Sequence, residues 1–244
     1  MHILPVIDLM NGQVVRGIAG RRAEYKPMVS KLTTSTDPVG VAQAFREHFG
    51  FDEIYVADLD AIAGKAATLD VFDALQRDGF RLWVDAGLRH ADDAAQLIDR
   101  GVTSVIAGLE TSAGPAALAA MLERVGPQRL VFSLDLKAGQ PLVVPGAWPD
   151  SDPWSIAQQV VGIGVQRLLV LDLAQVGVNA GVSTEKLCRR LRREFPKLGI
   201  AAGGGVRGVQ DVEAMRNAGA DWLLVASALH DGRLQQPALR RPSP

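Results

Sequence analysis

Cysteine is almost absent from this chain. Cys188 is the one thiol in 244 residues, so an internal disulfide and a multi-cysteine metal site are both excluded. It falls in a helical pattern with no histidine near it in sequence, and it reads as a buried structural thiol. Excess charge of either sign is also missing. Lys and Arg number 26 against 27 Asp and Glu, a formal net charge of −1, which leaves no electrostatic footprint for nucleic acid or an acidic membrane. The basic run at residues 189–193 is broken by Leu191 and reads as the solvated face of a helix. No apolar stretch reaches membrane-spanning length and no signal-peptide pattern is present. A cytoplasmic protein, without metal and without partners beyond a small molecule, is expected.

What the chain does have is a repeat. GGGVRGVQDVEAMRNAGADWLLVAS at residues 203–227 echoes DAGLRHADDAAQLIDRGVTSVIAGL at residues 85–109. Gly87, Arg89, Asp93 and Gly101 recur at the same spacing as Gly205, Arg207, Asp211 and Gly219. IDLMNGQVV around Asp8 is echoed by LDLKAGQPLV around Asp135. Two similar halves point to a closed architecture with internal two-fold symmetry.

Eight short apolar runs are spaced along the chain: ILPVIDL, EIYVADL, RLWVDAG, TSVIAGL, RLVFSLDL, RLLVLDL, GIAAGG and WLLVAS. Helical patterns such as ADDAAQLIDRG, PAALAAMLERVG and VQDVEAMRNAG separate most of them. Strands apolar on both faces and joined by helices pair in parallel. Eight such units in this length, 48% hydrophobic, predict an α/β fold: a single (βα)8 TIM barrel over residues 1–234, with half-barrels at about 1–125 and 126–234. A doubly wound sheet is the alternative, and the repeat favours the barrel. Residues 235–244 hold three prolines and no periodicity, and read as a disordered tail.

In such a barrel, chemistry belongs at the C-terminal ends of the strands. Asp8, Asp58, Asp60, Asp85, Asp135, Asp172, the glycines Gly203, Gly204 and Gly205, and Ala226-Ser227 all fall there. Asp8 and Asp135 sit on the first and fifth strands, opposite one another, and form a candidate general acid and base pair. The competing reading is that a strand-end Asp merely caps the next helix or loop. It weighs most on Asp58 and Asp172, which stand as secondary substrate-contact candidates. The glycines after strand seven, with Ala226 and Ser227 after strand eight, make a candidate phosphate site, with backbone N–H groups and a short following helix as donors. The first half has Asp85-Ala86-Gly87 and Gly108-Leu109 at the equivalent points. A phosphate beside Asp85 would meet like charge, on the order of 4 kcal/mol for unit charges 4 Å apart at an effective dielectric near 20. One half is therefore expected to hold phosphate and the other not.

Together LPVIDLMNGQVVRG, VADLDAIAG, VFSLDLKAGQ and AAGGGVRGVQDV resemble the HisA family, the phosphoribosyl-formimino-aminoimidazole-carboxamide-ribotide isomerases of histidine biosynthesis. The resemblance runs over nearly the whole chain. It implies a duplicated half-barrel and an Amadori rearrangement of an aminoaldose to an aminoketose, with no cofactor. It also implies a substrate with two phosphates, one held by each half. In that family the residue matching Asp8 is the general base at C2, and the one matching Asp135 is the acid that opens the ribose ring. Gly203, Gly204, Gly205 and Ser227 match one phosphate site, and Trp148 stands nearest the family's loop tryptophan, a substrate contact. The sequence departs from the family at the other phosphate site, where VDAGLR replaces a glycine-rich loop and Leu109 replaces a threonine. It departs again in VLDLAQVGVNAG, with Leu171 at a threonine and Val176 at a turn aspartate.

Three functions fit these residues: the histidine-pathway isomerase itself, a related isomerase of a smaller mono-phosphorylated substrate in another biosynthetic pathway, and a non-catalytic barrel that binds a phosphometabolite. Asp8 and Asp135 count against the third. Asp85, Leu109, Leu171 and Val176 count against the first. In each case a monomer is expected.

Overall fold

The structure is a computed structural model that describes residues 1–149, 152–178 and 181–235. Eight parallel strands close into a barrel: β1 (His2–Met10), β2 (Glu53–Asp58), β3 (Arg81–Asp85), β4 (Ser104–Gly108), β5 (Leu130–Lys137), β6 (Arg167–Asp172), β7 (Gly199–Gly203) and β8 (Trp222–Val225). Closure is made by β1 pairing with β8, from His2 against Trp222 to Pro5 against Val225. All eight apolar runs are strands of this ring, and the doubly wound alternative is excluded. Of the tail expected at 235–244, all but Gln235 lies outside the described residues.

The connecting helices are α1 (Pro38–Phe49), α2 (Leu69–Arg77), α3 (Ala91–Asp99), α4 (Pro115–Val125), α5 (Pro153–Ile163), α6 (Glu185–Glu194), α7 (Val209–Asn217) and the single turn α8 (Ser227–His230). Their starts are encoded locally. Asp37 and Asp152 accept the Gly40 and Ser155 N–H groups at 2.9 Å, each just before a proline that opens its helix. Cys188 on α6 is fully buried, and burial raises its thiol pKa to about 12, as suits an inert core residue. On the same helix Arg189 pairs with Glu185, and Arg190 lies 3.8 Å over the Trp154 ring.

The repeat is visible in the backbone. Asp93 accepts the Arg89 N–H at 3.0 Å, and Asp211 accepts the Arg207 N–H at 2.7 Å. β1 and β5 both fold over into tight hairpins, with Asn11-Gly12 and Ala138-Gly139 at positive φ. A strand-end region carboxylate holds each turn: Asp60 takes the Asn11 N–H at 2.5 Å, and Asp172 takes the Ala138 and Gly139 N–H groups at 2.9 and 3.0 Å.

Strand side chains alternate between two cores. Leu4, Tyr55, Trp83, Ile106, Val131, Leu169, Ala201 and Leu224 fill the barrel interior. Ile7, Val56, Val84, Ala107, Phe132, Val170, Ile200 and Leu223 pack under the helices. Two residues on from Val6, Trp83 and Ser133, the inward set ends in Asp8, Asp85 and Asp135.

Candidate active site

One cavity occupies the C-terminal mouth of the barrel. Its volume is about 100 Å³, and Asp8, Asp85, Glu110 and Asp135 all line it. Val6, Ala57, Leu59, Ile62, Leu171 and Leu224 form apolar walls. Gly204, Gly205, Ala226 and Ser227 make one edge of the same cavity, so the candidate acid–base pair and the candidate phosphate loop share a single space.

The carboxyls are electrostatically unequal. Burial pushes Asp8 up to about 6, against the opposing pull of the Gly17 N–H and the Arg22 charge. Burial also lifts Asp85 to about 7, where the Gly87 N–H, which it accepts at 3.1 Å, pulls the other way. Asp135 is raised furthest, well above the usual carboxylate range, by burial and then by the negative charges of Glu110 and Asp85. It accepts from the Ser133 hydroxyl at 2.5 Å and from the Glu110 N–H at 3.3 Å. The Tyr55 hydroxyl donates to Asp85 at 3.3 Å, and burial beside three carboxylates holds it far above its ordinary pKa. At neutral pH Asp8 is therefore largely ionised, while Asp135 is held toward its protonated form.

Two loops cover this centre. The one following the β1 hairpin brings Arg22 to Glu110 at 2.6 Å and Tyr25 beside Asp8. It meets the loop after β6 through the Ala19 N–H, which donates to the Val176 carbonyl at 2.8 Å. Gly17 and Gly177 let the chains touch. A Cβ on Gly17 would stand 2.9 Å from both the Asp8 carboxylate and Val176, and one on Gly177 would stand 1.9 Å from the Gly17 carbonyl oxygen. Val176, the departure at the turn aspartate, thus flanks Gly17 together with Asp8 and lines the same cavity.

The glycines after β7 serve the same kind of close approach. Gly204 and Gly205 have φ of 93° and 82°, and Cβ atoms there would lie 2.7 Å from the Asp172 carbonyl and 2.3 Å from the Gly181 carbonyl. Gly203 does not line the cavity; it sits between Leu171 and Leu224, each 3.1 Å from where its Cβ would be. Ser227 opens a helix of four residues only, so the dipole expected there is that of one turn.

Three candidates stand apart from the cavity. Asp58 is fully buried and spends its oxygens on the Ala61 and Thr68 N–H groups and the Thr68 hydroxyl, at 2.7–3.1 Å. Asp172 binds the Ala138, Gly139 and Ala174 N–H groups and the Ser183 hydroxyl at 2.9–3.0 Å. Both have the outward parity of their strands, next to inward Ala57 and Leu171, and their carboxylates organise loops rather than face a substrate. Trp148 is buried against Phe132, ring centroids 5.4 Å apart, in the core beneath the helices. Asp58, Asp172 and Trp148 do not line the cavity, whereas Arg22, Tyr25, Tyr55 and Glu110, which the sequence reading passed over, do. A signal did exist for Tyr55, which shares inward parity with Ala57. Arg22, Tyr25 and Glu110 lie in loops, where no periodicity applies.

The chain is similar to known proteins over nearly its whole length. The family model described as "Histidine biosynthesis protein" matches residues 2–235. An uncharacterized protein of Methanocaldococcus jannaschii is 30% identical over 238 residues, which cover 96% of this chain and 95% of its own. A Haloarcula marismortui protein named as a phosphoribosyl imidazole-4-carboxamide isomerase is 32% identical, over 95% of this chain and 92% of its own. One of the same name from Natronomonas pharaonis is 31% identical, over 95% and 93%. A match to the family model along nearly the entire barrel, and relatives of similar length, lead to one conclusion: the chain belongs to the histidine-biosynthesis protein family.

Proposed function

We propose that this protein isomerises a phosphorylated aminoaldose to the aminoketose, with Asp8 as general base, Asp135 as general acid, and a single phosphate held by Gly204, Gly205, Ala226 and Ser227. The observation that carries the proposal is the meeting of Asp8 and Asp135 in one cavity from opposite strands, with their pKa values pushed to different heights. That separation is what one acid and one base at the same pH require.

The residues divide the proton traffic. Protonated Asp135 gives its proton to the sugar ring oxygen as the C1–O bond breaks, and the nitrogen lone pair forms a C1–N double bond. Ionised Asp8 then takes the proton from C2. The released electron pair becomes a C1–C2 double bond and the C1–N electrons return to nitrogen. Loss of the C2 hydroxyl proton and protonation of C1 give the ketone, so the product is an isomer with no atom gained or lost. Apolar walls and the two covering loops exclude water from the intermediate.

A one-phosphate substrate is favoured over a two-phosphate one by the contents of the first half. Asp85 and Glu110 stand in the cavity on the side where a second phosphate would have to be held. Turnover assays on the two-phosphate histidine intermediate and on mono-phosphorylated aminoaldoses, following hydrogen exchange at C2, test the reading. Exchange with the mono-phosphates and little with the two-phosphate compound is expected. Efficient turnover of the two-phosphate compound would make the protein a histidine-pathway isomerase, and exchange with neither would end the isomerase proposal.

A further inference from the structure

The repeat gives the acidic side of the mouth a built-in comparison. Asp85 occupies the point where the second half has Gly203, and Glu110 follows Gly108-Leu109, the pair equivalent to Ala226-Ser227. Where one half offers backbone donors, the other offers carboxylates. We infer that the side of the cavity formed by β3 and β4 recognises a positively charged nitrogen, so that the substrate carries a phosphate at one end and an amine at the other. This deepens, and rests on, the one-phosphate reading above.

Asp85 and Asp135 are more than nine-tenths buried, at 8% and 3% exposure, and both line the cavity. Neither has an ion-pair partner among the described residues. Each keeps acceptor capacity to spare, since Asp85 takes one N–H and one distant hydroxyl, and Asp135 one hydroxyl and one long N–H. With Asp135 reserved as the acid, Asp85 is the carboxylate left over, and a buried carboxylate lining a cavity without a cation carries a desolvation cost that an incoming ammonium group removes. Its raised proton affinity has the same origin. Arg22 is the one cation among the described lining residues, and Glu110 already holds it. A metal ion suits the arrangement poorly, because among the described residues no three Asp, Glu, His or Cys side chains converge as ligands. An ammonium group, with N–H bonds in several directions, matches carboxylates that surround a space without converging on a point.

The test is a calorimetric titration with three series of matched chain length: ω-aminoalkyl phosphates, ω-hydroxyalkyl phosphates and alkyl bisphosphates. Inorganic phosphate and simple alkylamines serve as single-end probes. The aminoalkyl phosphates are expected to bind on the order of tenfold more tightly than the hydroxyalkyl ones, and the bisphosphates more weakly than either. Asp85→Asn and Glu110→Gln should each shrink the amine preference while leaving the affinity for inorganic phosphate as it was, which also shows that the variants fold. Equal binding of amine and hydroxyl, a preference that survives both variants, or tighter binding of bisphosphate would each overturn the inference. If inorganic phosphate fails to bind at all, the phosphate end of the proposed function falls instead. The alkylamines then decide the amine end, by binding that depends on Asp85 and Glu110 or by its absence.

Discussion

Carboxyl groups of one chemical kind differ here because each sits in a different field. Asp8, lifted to about 6, is the one that is ionised at neutral pH, and Asp135 is the one pushed furthest toward keeping its proton. The rate should therefore follow a bell in pH. It should rise as Asp8 loses its proton near pH 6, and fall on the alkaline side where Asp135 loses its own; a kcat/KM profile on the true substrate checks both limbs. Asp8→Asn and Asp135→Asn keep shape but cannot exchange a proton, so each should lower kcat by about 10²–10⁴-fold with binding nearly intact. Near wild-type turnover by either variant would reassign that residue to structure. The sequence made these two aspartates visible because the hairpins that follow them are repeated. It left Glu110 and Arg22 unseen, since their ion pair joins loops 88 residues apart.

Elements decide which way a side chain faces. Alternation along a strand sends Asp8, Asp85 and Asp135 into the mouth, and sends Asp58 and Asp172 outward to the loops. Asp58→Ala should accordingly cost stability, on the order of 2–4 kcal/mol for a buried carboxylate with several charge-assisted hydrogen bonds, without a selective loss of rate. Denaturant unfolding beside kinetics separates the two effects. Gly177→Ala puts a methyl into the Gly17 carbonyl at a φ of 70°. It should loosen the loop pair over Asp8 and lower kcat together with about 1–3 kcal/mol of stability, measured by the same pair of experiments. Most elements were legible because hydrophobic period is a local signal, as in the eight apolar runs and the helical patterns of α3, α4 and α7. α2 was not among the helices read from the sequence. Nine residues with only Phe72 and Leu75 buried give too brief a stripe to stand out.

Across the whole molecule, the acidic mouth trades stability for chemistry. Asp8, Asp85 and Asp135 bind protons more tightly folded than unfolded, so their contribution is full at low pH and is lost as pH rises through their folded values. His230 works in the other direction: burial lowers it to about 4, so its contribution is full above the ordinary histidine range and is lost as pH falls toward 4. The two effects oppose one another below about pH 6.5 and only the carboxyls act above it. Tm should therefore fall from about pH 6.5 through the folded value of Asp85 near 7. Asp85→Asn, which keeps the acceptor for Gly87, should raise Tm at pH 8 by about 2–8 °C, equivalent to ~1–2 kcal/mol in a chain of this size. Thermal melts of both proteins across that range check the sign, and an unchanged slope in the variant would clear Asp85 of the effect.

The sequence by itself determined the eight strands, most of the helices between them, and the duplication that closes them into a barrel. These follow from hydrophobic period, which acts over a few neighbours, and from the repeat of motifs along the chain. It also placed Asp8, Asp135 and the glycine-rich edge at one end of the molecule, because strand ends are local facts and the barrel has one functional face. Only the tertiary structure decided which of the strand-end aspartates face inward together. It also decided that Glu110, Arg22, Tyr25 and Tyr55 complete the cavity, and that Asp58, Asp172 and Trp148 belong to the framework. Those choices depend on ring closure and on loops meeting across the mouth, contacts between residues far apart in the chain that no short stretch of it specifies.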